Sequence, residues 1–283
     1  MDLISIDTIK ELIKKYNLSP SQASGQNFLV DKKVLKIILT AARIKKADNV
    51  LEIGPGLGVL TRELAAKSVN IVAVESDPKL VKYLKKEFLS EKNVKIVEQD
   101  ILKVDNAELF KSKPYRIVSN IPYQITGKII RKFVSAELPK PTDMVLMVQK
   151  EVAERICAQP GKMSLLAISV QLYARPKIVA HVSKESFWPV PEVESSVLAI
   201  EKISPEPLYN VLDLEKFWRV ARIGFSSPRK QLHNNIAAGF GIEGNIAKEA
   251  LRGADLGEHV RAQELSVGQW ASLAEILTRV KIV

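Results

Sequence analysis

Asn120-Ile121-Pro122-Tyr123 holds, in four residues, the groups needed to grip a flat aminated base. Asn120 offers a neutral amide oxygen that accepts a hydrogen bond from an amine, Pro122 stiffens the turn, and Tyr123 presents an aromatic face. With the Asn120 amide oxygen and the Ile121 carbonyl accepting its two hydrogens, an exocyclic amine is pulled toward tetrahedral geometry and its lone pair is aimed. That arrangement suits methylation of a base amine, in which orientation can supply up to ~7–11 kcal/mol without a general base. Tyr123 would stack on a base turned out of its context, a contact worth about 1–3 kcal/mol. Such a turn after a strand is also ordinary loop chemistry, so its meaning depends on the segments that position it.

Those segments lie upstream. Val50-Leu51-Glu52-Ile53 predicts a short buried strand running into Gly54-Pro55-Gly56-Leu57-Gly58, which opens an amphipathic helix over 59–67. Glycines there let the backbone turn sharply and approach a ligand with no side chain between. A dinucleotide fingerprint would read G-x-G-x-x-G, whereas the third glycine here comes one residue early, at Gly58, and Pro55 removes an amide hydrogen. Both features weaken a pyrophosphate cradle and suit a nucleoside carrying an amino-acid tail, as in S-adenosylmethionine. The strand over 71–74 ends at Glu75, whose carboxylate can take two ribose hydroxyls, although an acid there is equally compatible with NAD. A strand over 94–97 is followed by Asp100, a partner for an adenine amine beside the apolar Ile101. The glycine loop, Glu75, Asp100 and Asn120 thus fall at the carboxyl ends of successive strands, the edge at which open parallel sheets bind ligands.

Taken together, these segments resemble the adenine dimethyltransferases of bacterial small-subunit (16S) ribosomal RNA. Gly25-Gln26-Asn27-Phe28-Leu29 resembles the family's amino-terminal cofactor lid, residues 52–61 its glycine loop and residues 120–123 its catalytic turn. Gln149-Lys150-Glu151-Val152-Ala153, Phe187-x-Pro189-x-Pro191-x-Val193-x-Ser195 and Arg229-Lys230 resemble later signatures, so the likeness runs from about Gly25 to the carboxyl terminus. The resemblance implies S-adenosylmethionine held by Gln26, Asn27, Leu29, Gly54, Gly56, Gly58, Glu75, Asp100, Ile101 and Asn120. It places Asn120, Ile121, Pro122, Tyr123 and Phe187 at the reacting base. Phe187 can either cover the second face of that base or pack its loop on the sheet. Dimethylation of two adjacent adenosines near the 3′ end of 16S ribosomal RNA, within small-subunit assembly intermediates, is the implied activity, with a part in small-subunit biogenesis. The chain departs from the family's usual Gly-Asp at Gln99-Asp100, from its Tyr-Gly near Ser164-Leu165, and from a second basic residue at Pro228; none of these removes a group the chemistry needs.

At 283 residues, with 46% hydrophobic and 26% charged side chains, the chain has the make-up of a globular protein with one large domain and a smaller one. No apolar run approaches the ~20 residues of a membrane span and no signal-peptide pattern opens the chain, so a cytoplasmic protein, monomeric and without membrane contact, is expected. A single cysteine, Cys157, excludes an internal disulfide framework and is expected to pack in a helix. His181, His233 and His259 lack metal-ligand spacing and read as surface or capping residues, so no metal is expected. The net charge of +10 favours a polyanionic partner. From Pro205 onward ten basic residues face nine acidic ones, so nearly all of the excess lies in the first 204 residues.

The pattern predicts a helix over 6–16 and a polar linker over 19–24, followed by an α/β domain over 25–204 that the resemblance implies is a Rossmann-like methyltransferase. Its strands are expected over 50–53, 71–75, 94–97, 115–119, 144–149, 168–173 and 196–201. Ser204-Pro205-Glu206-Pro207 marks the boundary to an all-helical domain over 205–283, with helices over 213–223, 230–238, 246–252 and 266–280. Three rivals stay open: a related transferase acting on a large-subunit adenosine, a ribosome-assembly or nucleic-acid-binding factor without catalysis, and an NAD-dependent oxidoreductase. The Phe187 to Ser195 signature and the helical carboxyl-terminal domain favour the small-subunit enzyme over the first.

Overall fold

The computed structural model describes residues 2–18, 27–67 and 70–283. The first half of the chain forms α1 (Ile6–Tyr16), β1 (Phe28–Leu29), α2 (Lys32–Ala42), β2 (Asn49–Ile53), α3 (Val59–Lys67), β3 (Asn70–Glu75), α4 (Pro78–Glu87), β4 (Val94–Glu98), α5 (Asn106–Leu109) and β5 (Arg116–Asn120). Then come α6 (Thr126–Ile130), β6 (Met144–Gln149), α7 (Lys150–Ile156), α8 (Leu165–Gln171), β7 (Arg175–Val182), β8 (Phe187–Trp188) and β9 (Ser195–Glu201). Four helices finish the chain: α9 (Leu214–Gly224), α10 (Leu232–Phe240), α11 (Gly244–Gly253) and α12 (Val267–Arg279).

Seven strands make one sheet in the order β4-β3-β2-β5-β6-β9-β7. The first five run parallel, β9 is antiparallel to β6, and β7 is antiparallel to β9. The apolar runs of β2, β5 and β6 are buried almost throughout, as strands covered on both faces must be. Val34, Ile38, Leu60 and Leu64 from α2 and α3 close one core cluster. Ile9, Leu12, Leu80, Tyr83 and Leu84 from α1 and α4 close another. Each such fully buried side chain stabilises the fold by roughly 1.5–3 kcal/mol. β2 is flanked by β3 on one side and β5 on the other, so the chain order reverses between β2 and β5 and opens a crevice at their carboxyl ends.

The chain divides into two compact units, Met1–Glu154 with Ala174–Pro205, and Arg155–Tyr173 with Glu206–Val283. The first is the Rossmann-like α/β unit. In the second, Gln171 Nε2 at the end of α8 donates to the carbonyls of Ile156 at 2.9 Å and Ala158 at 2.8 Å, and Gly161 N, in the loop before α8, donates to Gln263 O at 2.8 Å, which ties this segment to the late part of the chain. There Trp270 is fully buried and stacks on Phe225, and Asn235 Nδ2 donates to the carbonyls of Gly224 and Ser227 at the turn after α9. Arg229 and Lys230 stand exposed in that turn.

Residues 168–173 are not a strand. Ser164 caps α8, its Oγ accepting from Ala167 N at 3.2 Å, and Ala167, Ile168 and Val170 fall on the buried helical face. The sheet position belongs instead to β7, whose Pro176 is tolerated because β7 is an edge strand. Cys157 lies half-buried in the turn after α7 rather than inside a helix. His233 is buried, bonded through Nδ1 to the Glu258 carbonyl at 2.9 Å, while His181 and His259 are exposed.

Candidate active site

A cavity opens at the carboxyl ends of β2, β3, β4 and β5 and is lined by Asn27, Leu29, Gly54, Gly56, Glu75, Asp100, Ile101, Asn120, Ile121, Pro122 and Tyr123. The topology therefore brings together most of the residues read from the sequence. Gln26 lies outside the described residues. Two others are placed elsewhere. Gly58, at φ +79°, does not line the cavity; a Cβ there would come within 2.6 Å of Phe88 Cε2, so its bareness serves the close packing of the turn on α4 and the residue after it. Phe187 is 1% exposed and sits in the core with Leu29 and Val34, so no face of its ring is open to a base.

What Phe187 builds is a two-residue ribbon. β8 pairs antiparallel with β1, Leu29 opposite Phe187 and Phe28 opposite Trp188. Val30 N donates to Ser186 O at 2.9 Å, and Ser186 Oγ donates to Asp31 Oδ2 at 3.0 Å, while Asp31 Oδ1 caps α2. This ribbon holds Asn27 over the cavity, where Asn120 Nδ2 donates to the Asn27 carbonyl at 3.1 Å. With its NH₂ group engaged there, Asn120 has Oδ1 left for accepting. Asn27 Oδ1 is buried in the cavity wall without a hydrogen-bond partner among the described residues, an acceptor that a ligand's donor would satisfy.

The carboxylates are held by backbone amides. Glu75 Oε1 accepts from Ser76 N at 2.8 Å and Asp77 N at 3.0 Å, and the Gly56 amide of the glycine turn also hydrogen-bonds the carboxylate. Burial raises the Glu75 pKa. Asp100 Oδ1 accepts from Leu102 N at 2.9 Å beside the buried Ile101, leaving one oxygen. Gly56 holds φ +58°, and a Cβ there would sit 3.3 Å from Phe28, so only a bare backbone passes between the ribbon and the cavity. An orphaned amide oxygen, two carboxylates at the strand ends and a glycine cradle fit an adenosine bearing an amino-acid tail.

Two contributors were not singled out from the sequence. Glu52 is 2% exposed and lines the cavity, its Oε2 accepting from Thr61 Oγ1 at 2.6 Å. Burial, with Glu75 nearby, pushes its carboxyl up to about 8, so it is protonated at neutral pH. A lone acid inside an apolar strand was the signal for it. Ser195, fully buried at the start of β9, meets Tyr123: their Oγ and phenol oxygen are 2.6 Å apart. Burial raises the Tyr123 pKa, so the phenol keeps its proton. Among the described residues no cluster of His, Cys, Asp or Glu could hold a metal ion, and no helix is long and apolar enough to cross a membrane.

A family model described as Ribosomal RNA adenine dimethylase matches residues 17–279. The chain is 40% identical over 265 residues to Ribosomal RNA small subunit methyltransferase A of Dehalococcoides mccartyi, covering 93% of this chain and 90% of that protein. It is 38% identical over 281 residues to the protein of the same name from Clostridioides difficile, covering 97% and 96%. Among solved structures, the 23S rRNA methyltransferase ErmE is similar with a TM-score of 0.73 at 27% identity, over 89% of this chain and 100% of that one.

Proposed function

Since the chain belongs to the ribosomal RNA adenine dimethylase family and is an S-adenosylmethionine-dependent adenine methyltransferase of the small subunit, we propose that it dimethylates two adjacent adenosines near the 3′ end of 16S ribosomal RNA. Its work would fall in the cytoplasm, on small-subunit assembly intermediates, with the protein acting as a monomer. The observation that carries this reading is the pairing of Asn120, its amide already anchored through Nδ2, with Tyr123 on the same cavity wall.

The cofactor, when bound, supplies a methyl group activated by its sulfonium. Asn27, Gly54, Gly56, Glu75, Asp100 and Ile101 would hold it, the Glu75 carboxylate at the ribose and the free carboxylate oxygen of Asp100 at the adenine amine. Asn120 Oδ1 and the Ile121 carbonyl would accept the two hydrogens of the target amine and turn its lone pair toward the donor, while the Tyr123 ring supports the base. Alignment of this kind requires no group titrating near pH 7 to remove a proton before attack. The residues that the sequence divides into a catalytic domain over 25–204 and a helical domain over 205–283 would then separate chemistry from a second RNA-facing part that carries Arg229 and Lys230.

The test is transfer from radiolabelled S-adenosylmethionine to small-subunit particles lacking the two dimethyladenosines, with large-subunit RNA as a parallel substrate. Label recovered as dimethyladenosine at neighbouring small-subunit positions is the expected result. Label on the large subunit would select the transferase that acts on a large-subunit adenosine, and cofactor binding without label on either would point to a binding factor.

A further inference from the structure

Ser195 ends a motif, Phe187-x-Pro189-x-Pro191-x-Val193-x-Ser195, whose remaining members lie in the β1–β8 ribbon or the loop after it. It is fully buried and does not line the cavity, so it can touch neither base nor cofactor. Its backbone is fixed from both sides, facing Gln149 of β6 and Val182 of β7. From that rigid position its Oγ lies 2.6 Å from the Tyr123 phenol oxygen.

Tyr123 needs such a hold. It opens a three-residue 3₁₀ turn, Tyr123–Ile125, rather than sitting on a long helix or strand. Pro122 restrains the backbone before it but leaves the ring two side-chain torsions. A phenol tied at its oxygen as well as at Cβ loses the freedom to swing, and the ring face stays presented to the cavity. We propose that Ser195 is a positioning residue that fixes the ring plane of Tyr123, so that the target base stacks in the orientation that aims its amine. This inference rests on the base-stacking role given to Tyr123 above. It also gives the end of the Phe187 motif a role, since the motif then serves the catalytic turn through a hydroxyl rather than through a second aromatic face.

Ser195→Ala, Tyr123→Phe and the double variant test it against wild type, with small-subunit particles at saturation. Each single change is expected to lower kcat about fivefold, the value of one hydrogen bond. The thermal midpoint, the KM for particles and the Kd for S-adenosylmethionine should stay near wild type, a split that general loosening of the fold would not give. The double variant should be no slower than either single one, because both remove the same bond. Tyr123→Phe leaves β9 intact and carries the test should Ser195→Ala fail to fold. Wild-type kcat in a single variant, or two losses that multiply, would overturn the anchor while leaving the proposed function standing. A wild-type protein that labels no particle would overturn both.

Discussion

Asn120 works through both ends of one amide. Nδ2 is committed to the Asn27 carbonyl at 3.1 Å, which orients the side chain, and Oδ1 is the end that can meet a substrate amine. Asn120→Ala removes orientation and acceptor together, so transfer to small-subunit particles is expected to fall about a hundredfold or more with an unchanged thermal midpoint. A folded Asn120→Ala protein that still transfers would remove the mechanism. Glu52 invites a different experiment. Its folded pKa of about 8 lies above the ordinary carboxylate value of 4.5, so the folded state binds the proton more tightly than the unfolded chain does. Its contribution is therefore fully present below about pH 4.5 and is lost progressively as pH rises toward 8. Glu52→Gln preserves an acceptor for Thr61 Oγ1 but cannot ionise. Thermal midpoints of the free protein, measured from pH 5 to 9, should show Glu52→Gln gaining on wild type as pH rises; parallel curves would mean that Glu52 does not titrate as placed.

The short ribbon of β1 and β8 is the element that joins distant motifs into one site, and its centre is a packed ring. Phe187→Ala is expected to cost about 3–5 kcal/mol of stability by denaturant unfolding, as for other buried aromatics. Phe187→Leu, which refills most of the space, should keep most of the methyl transfer, whereas Tyr123→Leu should not; equal losses of transfer in the two would restore a stacking role to Phe187. The parts of the fold legible in the sequence were those with local signals. The strands β2, β3, β5 and β6 are apolar runs that end at turn residues, and α12 begins at a serine cap, with Ser266 Oγ accepting from Gln269 N at 3.3 Å. What escaped had signals pointing the wrong way. Ile168 to Tyr173 is rich enough in apolar residues to read as a strand, yet Ser164 starts a helix there; the true strand Arg175–Val182 contains a proline and two exposed basic residues. The ribbon could not be read at all, because pairing residues 28–29 with 187–188 depends on tertiary packing alone.

Across the whole molecule the charge is unevenly spread, and its geometry says more than its sum. Nearly all of the +10 excess precedes Pro205. On α4, Lys79, Lys82, Lys85 and Lys86 are all exposed, and among the described residues none of them is in a salt bridge. Lys79 Nζ donates to the Asn17 carbonyl, so Lys82, Lys85 and Lys86 are the exposed cations of this helix left to meet a partner. They lie outside the cavity lining, on a helix whose opposite face, Leu80, Val81 and Leu84, is buried in the core. Replacing them should therefore leave the fold and cofactor binding alone and act only on a polyanion. Each cation that meets a backbone phosphate releases a counterion, which makes affinity fall with salt on a log–log slope of about −0.7 to −0.9 per contact. The Lys82→Gln, Lys85→Gln, Lys86→Gln protein should bind small-subunit particles more weakly at low salt and with a slope shallower by about 2–3, its kcat at saturation unchanged. A slope equal to wild type would show that RNA does not cross this helix. The basic excess before Pro205 would then act as long-range attraction, visible in the association rate at low ionic strength and not in the salt dependence of the bound complex.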